Sequence, residues 1–136
     1  MRVFLDANIL FSAAKSNGAV RDLLARLVRA GHVACADAYV VEEARRNLAR
    51  KGPAAIEALE SLLADVELAP FKSTTLPPRV AAMLPEKDRP ILAAALRLGC
   101  DALVTGDRTH FGALYGRKVL GLVVHSPRSV AEALGL

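Results

Sequence analysis

The chain has 136 residues, 53% of them hydrophobic and 4% aromatic with no tryptophan, which excludes a disordered or low-complexity protein and leaves room for one core. A single domain over residues 1–136 is expected. The net charge of +4 permits a polyanionic partner without requiring one, and no apolar stretch approaches the length of a membrane span.

Arg2-Val3-Phe4-Leu5 is a short apolar run that ends at Asp6, followed by Ala7-Asn8 and a second run, Ile9-Leu10-Phe11. The first run reads as a buried strand delivering an acid to its C-terminal tip, the edge where open parallel α/β sheets bind ligands. Because Asp6 and Asn8 break the apolar start, a signal peptide is not expected, and the chain reads as cytoplasmic. Asn17-Gly18 mark a turn, after which Val20, Leu23, Leu24, Leu27 and Val28 recur at helical spacing until Gly31. His32 to Ala36 forms a second strand, and Asp37 is a good N-cap for a helix from Ala38 to Arg50, ended by Lys51-Gly52-Pro53. Pro53 opens another helix, with Ile56, Leu59, Leu62 and Leu63 on one face. Val66 to Ala69 suits a third strand, residues 72–78 a loop, and residues 79–84 a short helix.

Asp88-Arg89-Pro90 begins a helix, Ile91 to Leu98, that is apolar nearly all round and closes at Gly99. Ala102 to Thr105 is a fourth strand running into Gly106-Asp107, and Leu120 to Val124 a fifth, interrupted by Gly121. Ser126 and Pro127 start a last helix through Leu134. Cys35 and Cys100 stand outside any C-x-x-C pattern, so buried free thiols are expected. Apolar strands alternating with helices predict a three-layer α/β/α sandwich on a central parallel sheet of about five strands.

Asp6, Glu43, Asp88 and Asp107 are the residues that can carry chemistry, with Asn8 and Thr105 beside them. Asp6 and Asp107 follow strands, Asp88 starts a helix, and Glu43 lies one turn into the helix after the second strand. Four carboxylates on one edge repel one another unless a cation lies among them, and oxygen ligands suit Mg²⁺ or Mn²⁺. Such an ion activates water and stabilises the leaving oxygen of a phosphodiester. Each acid also has a local reading. Asp88 can cap its helix, Asp107 can serve as a turn residue or cap residues 108–111, and Asn8 can be a turn residue. An acid between two apolar runs, as Asp6 is, is costly to bury without a partner. Glu42 is expected to pair with Arg46 at i,i+4, which leaves Glu43, in line with Asn47, to reach a site. Thr105 can hold a carboxylate in place. Arg45, Arg46, Arg50 and Lys51 cluster on the same helix, where they can seat a nucleic-acid backbone or simply face solvent. His32, His110 and His125 lack metal-ligand spacing, so no zinc site is expected, and no Walker, G-x-S-x-G or G-x-G-x-x-G motif is present.

The segments VFLDANILFSA, VVEEARRNL, EKDRPILAAAL and LVTGDRTHFG, in this order and spacing, resemble those of PIN-domain ribonucleases, including the toxins of VapBC-type toxin–antitoxin pairs. The resemblance runs from Arg2 to about Val124. It implies a PIN-like fold and catalytic, metal-holding acids at Asp6, Glu43, Asp88 and Asp107, with Thr105 as the hydroxyl of the TGD segment and Asn8 as the polar residue after the first aspartate. It further implies Mg²⁺- or Mn²⁺-dependent cleavage of RNA, a homodimer and, for a toxin, a cognate antitoxin. A stand-alone RNA-processing nuclease shares the same acids. A phosphatase using Asp6 as nucleophile is the alternative chemistry, although Asn8 replaces its usual second aspartate and only Lys87 adjoins Asp88. A non-catalytic RNA- or protein-binding domain is the third class.

Overall fold

A computed structural model describes residues 1–136. Its chain order is β1 (Arg2–Leu5), α1 (Ala7–Lys15), α2 (Ala19–Arg29), β2 (Val33–Asp37), α3 (Ala38–Lys51), α4 (Ile56–Leu63), β3 (Val66–Ala69), α5 (Pro78–Ala81), α6 (Arg89–Arg97), β4 (Ala102–Val104), α7 (Arg108–Phe111), β5 (Lys118–Val119), β6 (Leu122–His125) and α8 (Pro127–Leu134). Single 3₁₀ turns at Pro53–Ala55 and Glu86–Asp88 lead into α4 and α6.

The six strands are ordered β3-β2-β1-β4-β6-β5, and only the β5–β6 pair is antiparallel. Strand order moves outward from β1 to β3, then returns to β4 on the other side of β1. Right-handed crossovers therefore put α1 to α4 over one face and α6 over the other, the three-layer α/β/α arrangement. The central strands are buried on both faces, which is why they read as unbroken apolar runs: Val3, Phe4 and Leu5 are fully buried, as is Leu103. A single cluster of 38 buried hydrophobic residues joins both helical layers to the sheet.

Some expectations hold, some are filled in and others change. Residues 7–15 are helical, with Ala7, Ile9, Leu10, Ala13 and Ala14 buried at helical spacing, so the second apolar run belongs to α1. The sheet has six strands rather than about five. Leu120 and Gly121 do not continue a strand but turn it, with φ of 50° and 88°, and so fold residues 118–125 into a hairpin. The short helix near residue 79 is α5, Pro78–Ala81. Cys35 and Cys100 are free and buried. No helix is long and apolar enough to cross a membrane.

Candidate active site

The strand order reverses between β1 and β4, so the crevice beyond their carboxyl ends lies at the sheet's topological switch point. Asp6 and Thr105 are the next residues after these two strands, and the Asp6 N–H extends their pairing by donating to the Val104 carbonyl at 3.0 Å.

Asp6 is 3% exposed and accepts hydrogen bonds on both oxygens. Its Oδ1 takes the Ala7 N–H at 2.7 Å, and its Oδ2 takes the Thr105 hydroxyl at 2.8 Å and the Asn8 amide at 3.2 Å. Burial nevertheless pushes the Asp6 carboxyl up to about 6, against the pull of the Thr105 and Ala7 bonds, and the Glu43 and Asp88 charges add to the rise. Thr105 is fully buried, and its hydroxyl is saturated. It donates to Asp6 and accepts from Asn8 Nδ2 at 3.3 Å and the Asp107 N–H at 3.1 Å. Asn8 bridges the two strand tips, because its Oδ1 also accepts the Gly106 N–H at 2.8 Å. A turn role for Asn8 is thereby replaced by one inside the first turn of α1.

The other acids arrive on separate elements. Asp37 caps α3 through the Val40 N–H at 3.2 Å, and Val40, Val41, Ala44 and Leu48 bury the helix's apolar stripe. Glu43, half-buried at the stripe's edge, then faces the crevice together with Asn47. Asp88 ends the 3₁₀ turn in helical conformation and makes no cap bond to α6, so its carboxylate is free of the capping role that local sequence allows. Burial raises its carboxyl above the usual range, opposed by the His110 and Lys87 charges. Asp107 does cap α7, but with one oxygen only: Oδ1 accepts the His110 N–H at 3.0 Å, and Oδ2 remains. Asp6, Asn8, Glu43, Lys87, Asp88 and Asp107 thus line one polar cleft of about 90 Å³. A larger concavity of about 510 Å³, lined by Leu24, Val28, Leu62 and Val66, shares no residue with it.

Two residues in this region are given no part in the nuclease site by the sequence. Lys87, noted there only as the lysine beside Asp88, brings a positive charge into the acidic cleft. His110, set aside for want of metal-ligand spacing, places its Nδ1 2.9 Å from Asp88 Oδ2 and 2.8 Å from Asp107 Oδ2. The only local signal is that His110 follows Asp107 by three residues, one helical turn. Asp88 Oδ2 and His110 Nδ1 are buried and make no hydrogen bond of acceptable geometry despite this proximity. Such orphaned donor atoms, within 4.8 Å of one another and of Asp107, fit a divalent cation.

The basic cluster is divided. Arg45 is held by Glu60 of α4 at 3.0 and 3.2 Å and by Glu42 at 3.3 Å, so Glu42 pairs with Arg45 and not with Arg46. The Glu60 partner, on another helix, outweighs the i,i+4 rule because the guanidinium forks across both carboxylate oxygens. Arg46, Arg50 and Lys51 are exposed along α3 without an acidic partner.

A sequence model of the PIN domain matches residues 2–109. Among curated proteins no sequence matches. Three solved complexes contain a chain of similar fold. VapBC2 from Rickettsia felis, bound to a DNA fragment from its promoter, aligns at 15% identity and TM-score 0.66, over 93% of this chain and 98% of that one. VapBC-1 from nontypeable Haemophilus influenzae aligns at 16% and 0.58, over 94% and 99%. FitAB bound to an IR36 DNA fragment aligns at 21% and 0.57, over 92% and 94%. The structural likenesses carry the fold, the match over residues 2–109 carries the family, and the chain belongs to the PIN domain family.

Proposed function

We propose that this protein is a divalent-metal-dependent endoribonuclease and the toxin of a toxin–antitoxin pair, acting in the cytoplasm as one domain. The observation that carries the nuclease reading is the convergence of Asp6, Glu43, Asp88 and Asp107, from four separate segments, on one cleft at the switch point. Four carboxylates in so small a space are a poor arrangement for a metal-free protein and a good one for holding Mg²⁺ or Mn²⁺. Bound there, the ion supplies Lewis-acid charge to the scissile phosphate and acidifies water.

The chain's own residues divide the remaining work. Asn8 and the saturated Thr105 hydroxyl fix the Asp6 carboxylate, so that it needs little reorganisation to act. Asp88 and Asp107 line the same cleft, and Lys87 offers a charge to a phosphate oxygen. Arg46, Arg50 and Lys51 along α3 seat the RNA backbone, with Arg45 held back by Glu60. Against the phosphatase alternative stands the burial of Asp6, both of whose oxygens are already engaged and badly presented for covalent attack. The toxin assignment is supported by the likeness to chains in VapBC and FitAB complexes, and it brings with it a cognate antitoxin and a homodimer.

The test is RNA cleavage by purified protein with Mg²⁺ or Mn²⁺ against excess EDTA, beside a folded Asp6→Asn variant. Cleavage is expected to need both the metal and Asp6. Undiminished cleavage in EDTA, or by the variant, rules this site out.

A further inference from the structure

The acids account for an all-oxygen site, but His110 adds an atom of a different kind. We infer that His110 Nδ1 is a direct ligand of the ion, giving the Asp88–Asp107 side of the cleft a mixed nitrogen–oxygen character that favours Mn²⁺ over Mg²⁺. This rests on the metal-dependent reading above and specifies which ion the site takes.

The geometry argues first. His110 Nδ1 lies 2.9 Å from Asp88 Oδ2 and 2.8 Å from Asp107 Oδ2, and the three donor atoms are mutually within 4.8 Å. Neighbouring ligands of an octahedral ion with bonds of about 2.1 Å lie about 3 Å apart, and opposite ones about 4.2 Å. The two Nδ1–oxygen distances are therefore those of neighbouring members of one coordination shell. An imidazolium bridging two carboxylates is the competing account of the same distances. It requires the ring N–H to point at an oxygen, yet Asp88 Oδ2 and His110 Nδ1 both lack a hydrogen-bond partner. The Asp88 side chain is only 9% exposed, so water is a poor substitute partner for that oxygen.

Local structure argues second. Asp107 Oδ1 is committed to the His110 N–H, which closes the first turn of α7 and holds the Asp107 and His110 side chains on one face. The cap thus pre-positions Oδ2 and Nδ1 as a pair. Mn²⁺, although it favours oxygen, accepts an imidazole nitrogen as a first-row transition ion, whereas Mg²⁺ strongly prefers oxygen and retains its waters. A nitrogen in the shell therefore shifts selectivity toward Mn²⁺.

The experiment is electron paramagnetic resonance on the full chain with Mn²⁺: a titration for affinity, and electron spin echo modulation for ¹⁴N coupling to the bound ion. Nitrogen coupling is expected in the natural sequence and is expected to vanish in His110→Gln, which also assigns it to this residue rather than His32 or His125. The variant should bind Mn²⁺ about tenfold or more weakly, while Mg²⁺ competition changes by less than about twofold. Bound Mn²⁺ without nitrogen coupling in the natural sequence overturns the inference and leaves the metal site standing. Failure to bind Mn²⁺ at all sinks both, and the natural-sequence spectrum decides even if His110→Gln misfolds.

Discussion

Asp6 is the residue at which the fold and the site conflict most. Its carboxyl is held at about 6, against an ordinary 3.8, because burial disfavours the charged form by more than Thr105 and Ala7 restore. Folding therefore favours the neutral acid. Below the unfolded pKa the group is neutral in both states and costs nothing. The penalty grows between pH 3.8 and about 6 and is complete above that. At about 1.4 kcal/mol per pH unit the upper bound is about 3 kcal/mol. In EDTA, the stability of the natural protein relative to Asp6→Asn should fall by about 1–3 kcal/mol between pH 4 and pH 7, on top of a pH-independent offset from the amide N–H₂ that stands where an oxygen accepts. Urea unfolding at the two pH values measures it, and a difference between the two proteins that does not change with pH refutes the frustrated carboxylate. The proposal that Asp6 carries function is already legible in the sequence, since a lone acid between apolar runs has few other uses. For Asp88 the sequence offers capping and metal work alike. The 3₁₀ turn at Glu86–Asp88 removes the first of these, because it places the residue in helical conformation and strips it of its cap bond. His110 is less legible still, because the partner that gives it meaning, Asp88, is 22 residues away in sequence and meets it only in the folded chain.

Elements position these side chains, and α3 shows how much one cap carries. Asp37 Oδ1 holds the Val40 N–H and so fixes the first turn of the helix that presents Glu43. Asp37→Ala should lower stability by about 1 kcal/mol, with Asp37→Asn, which keeps the accepting oxygen, losing less than half as much. Urea unfolding at pH 7 checks the pair, and equal losses for the two variants remove the cap from the account. This helix is readable from sequence because its signals are local: Asp37 before it, an apolar stripe within it, and Gly52-Pro53 after it. The reading fails where the deciding contact is distant or the pattern ambiguous. In α1 the residues Ile9-Leu10-Phe11 form an apolar run too short to separate strand from helix, and only burial at Ala13 and Ala14 reveals the period. The β5–β6 hairpin fails for a backbone reason. Leu120 takes a positive φ that a leucine rarely adopts, so nothing in its side chain announces the turn, although Gly121 beside it does. Arg45 belongs here too, since its choice of Glu60 depends on how α4 lies against α3.

At the scale of the molecule, the sheet places the tips of β1 and β4 side by side at the reversal of strand order, and α3 and the Glu86–Asp88 turn add their acids to the same point. The alternation of strands and helices makes that edge foreseeable, since strand tips and the helix starts that follow them share it. On the proposed metal-dependent reading, the metal-free fold carries the cost of burying a charged Asp6 near Glu43 and Asp88, and a bound cation offsets it. Stabilisation by a ligand at 100 times its dissociation constant is about 2.7 kcal/mol, or about 8 °C in a chain of this size. Thermal unfolding of the natural protein should therefore move up by about that amount between EDTA and saturating Mn²⁺. Asp6→Asn should move much less, because it has lost a charged ligand. A parallel upward shift in both would place the binding elsewhere on the surface. No shift in either would mean that the four acids do not share an ion, and with that the nuclease reading would lose its foundation. A shift that the natural protein shows and Asp6→Asn largely loses is the outcome specific to a cation seated among these carboxylates, since neither a general salt effect nor a purely structural role for Asp6 makes the shift depend on this side chain.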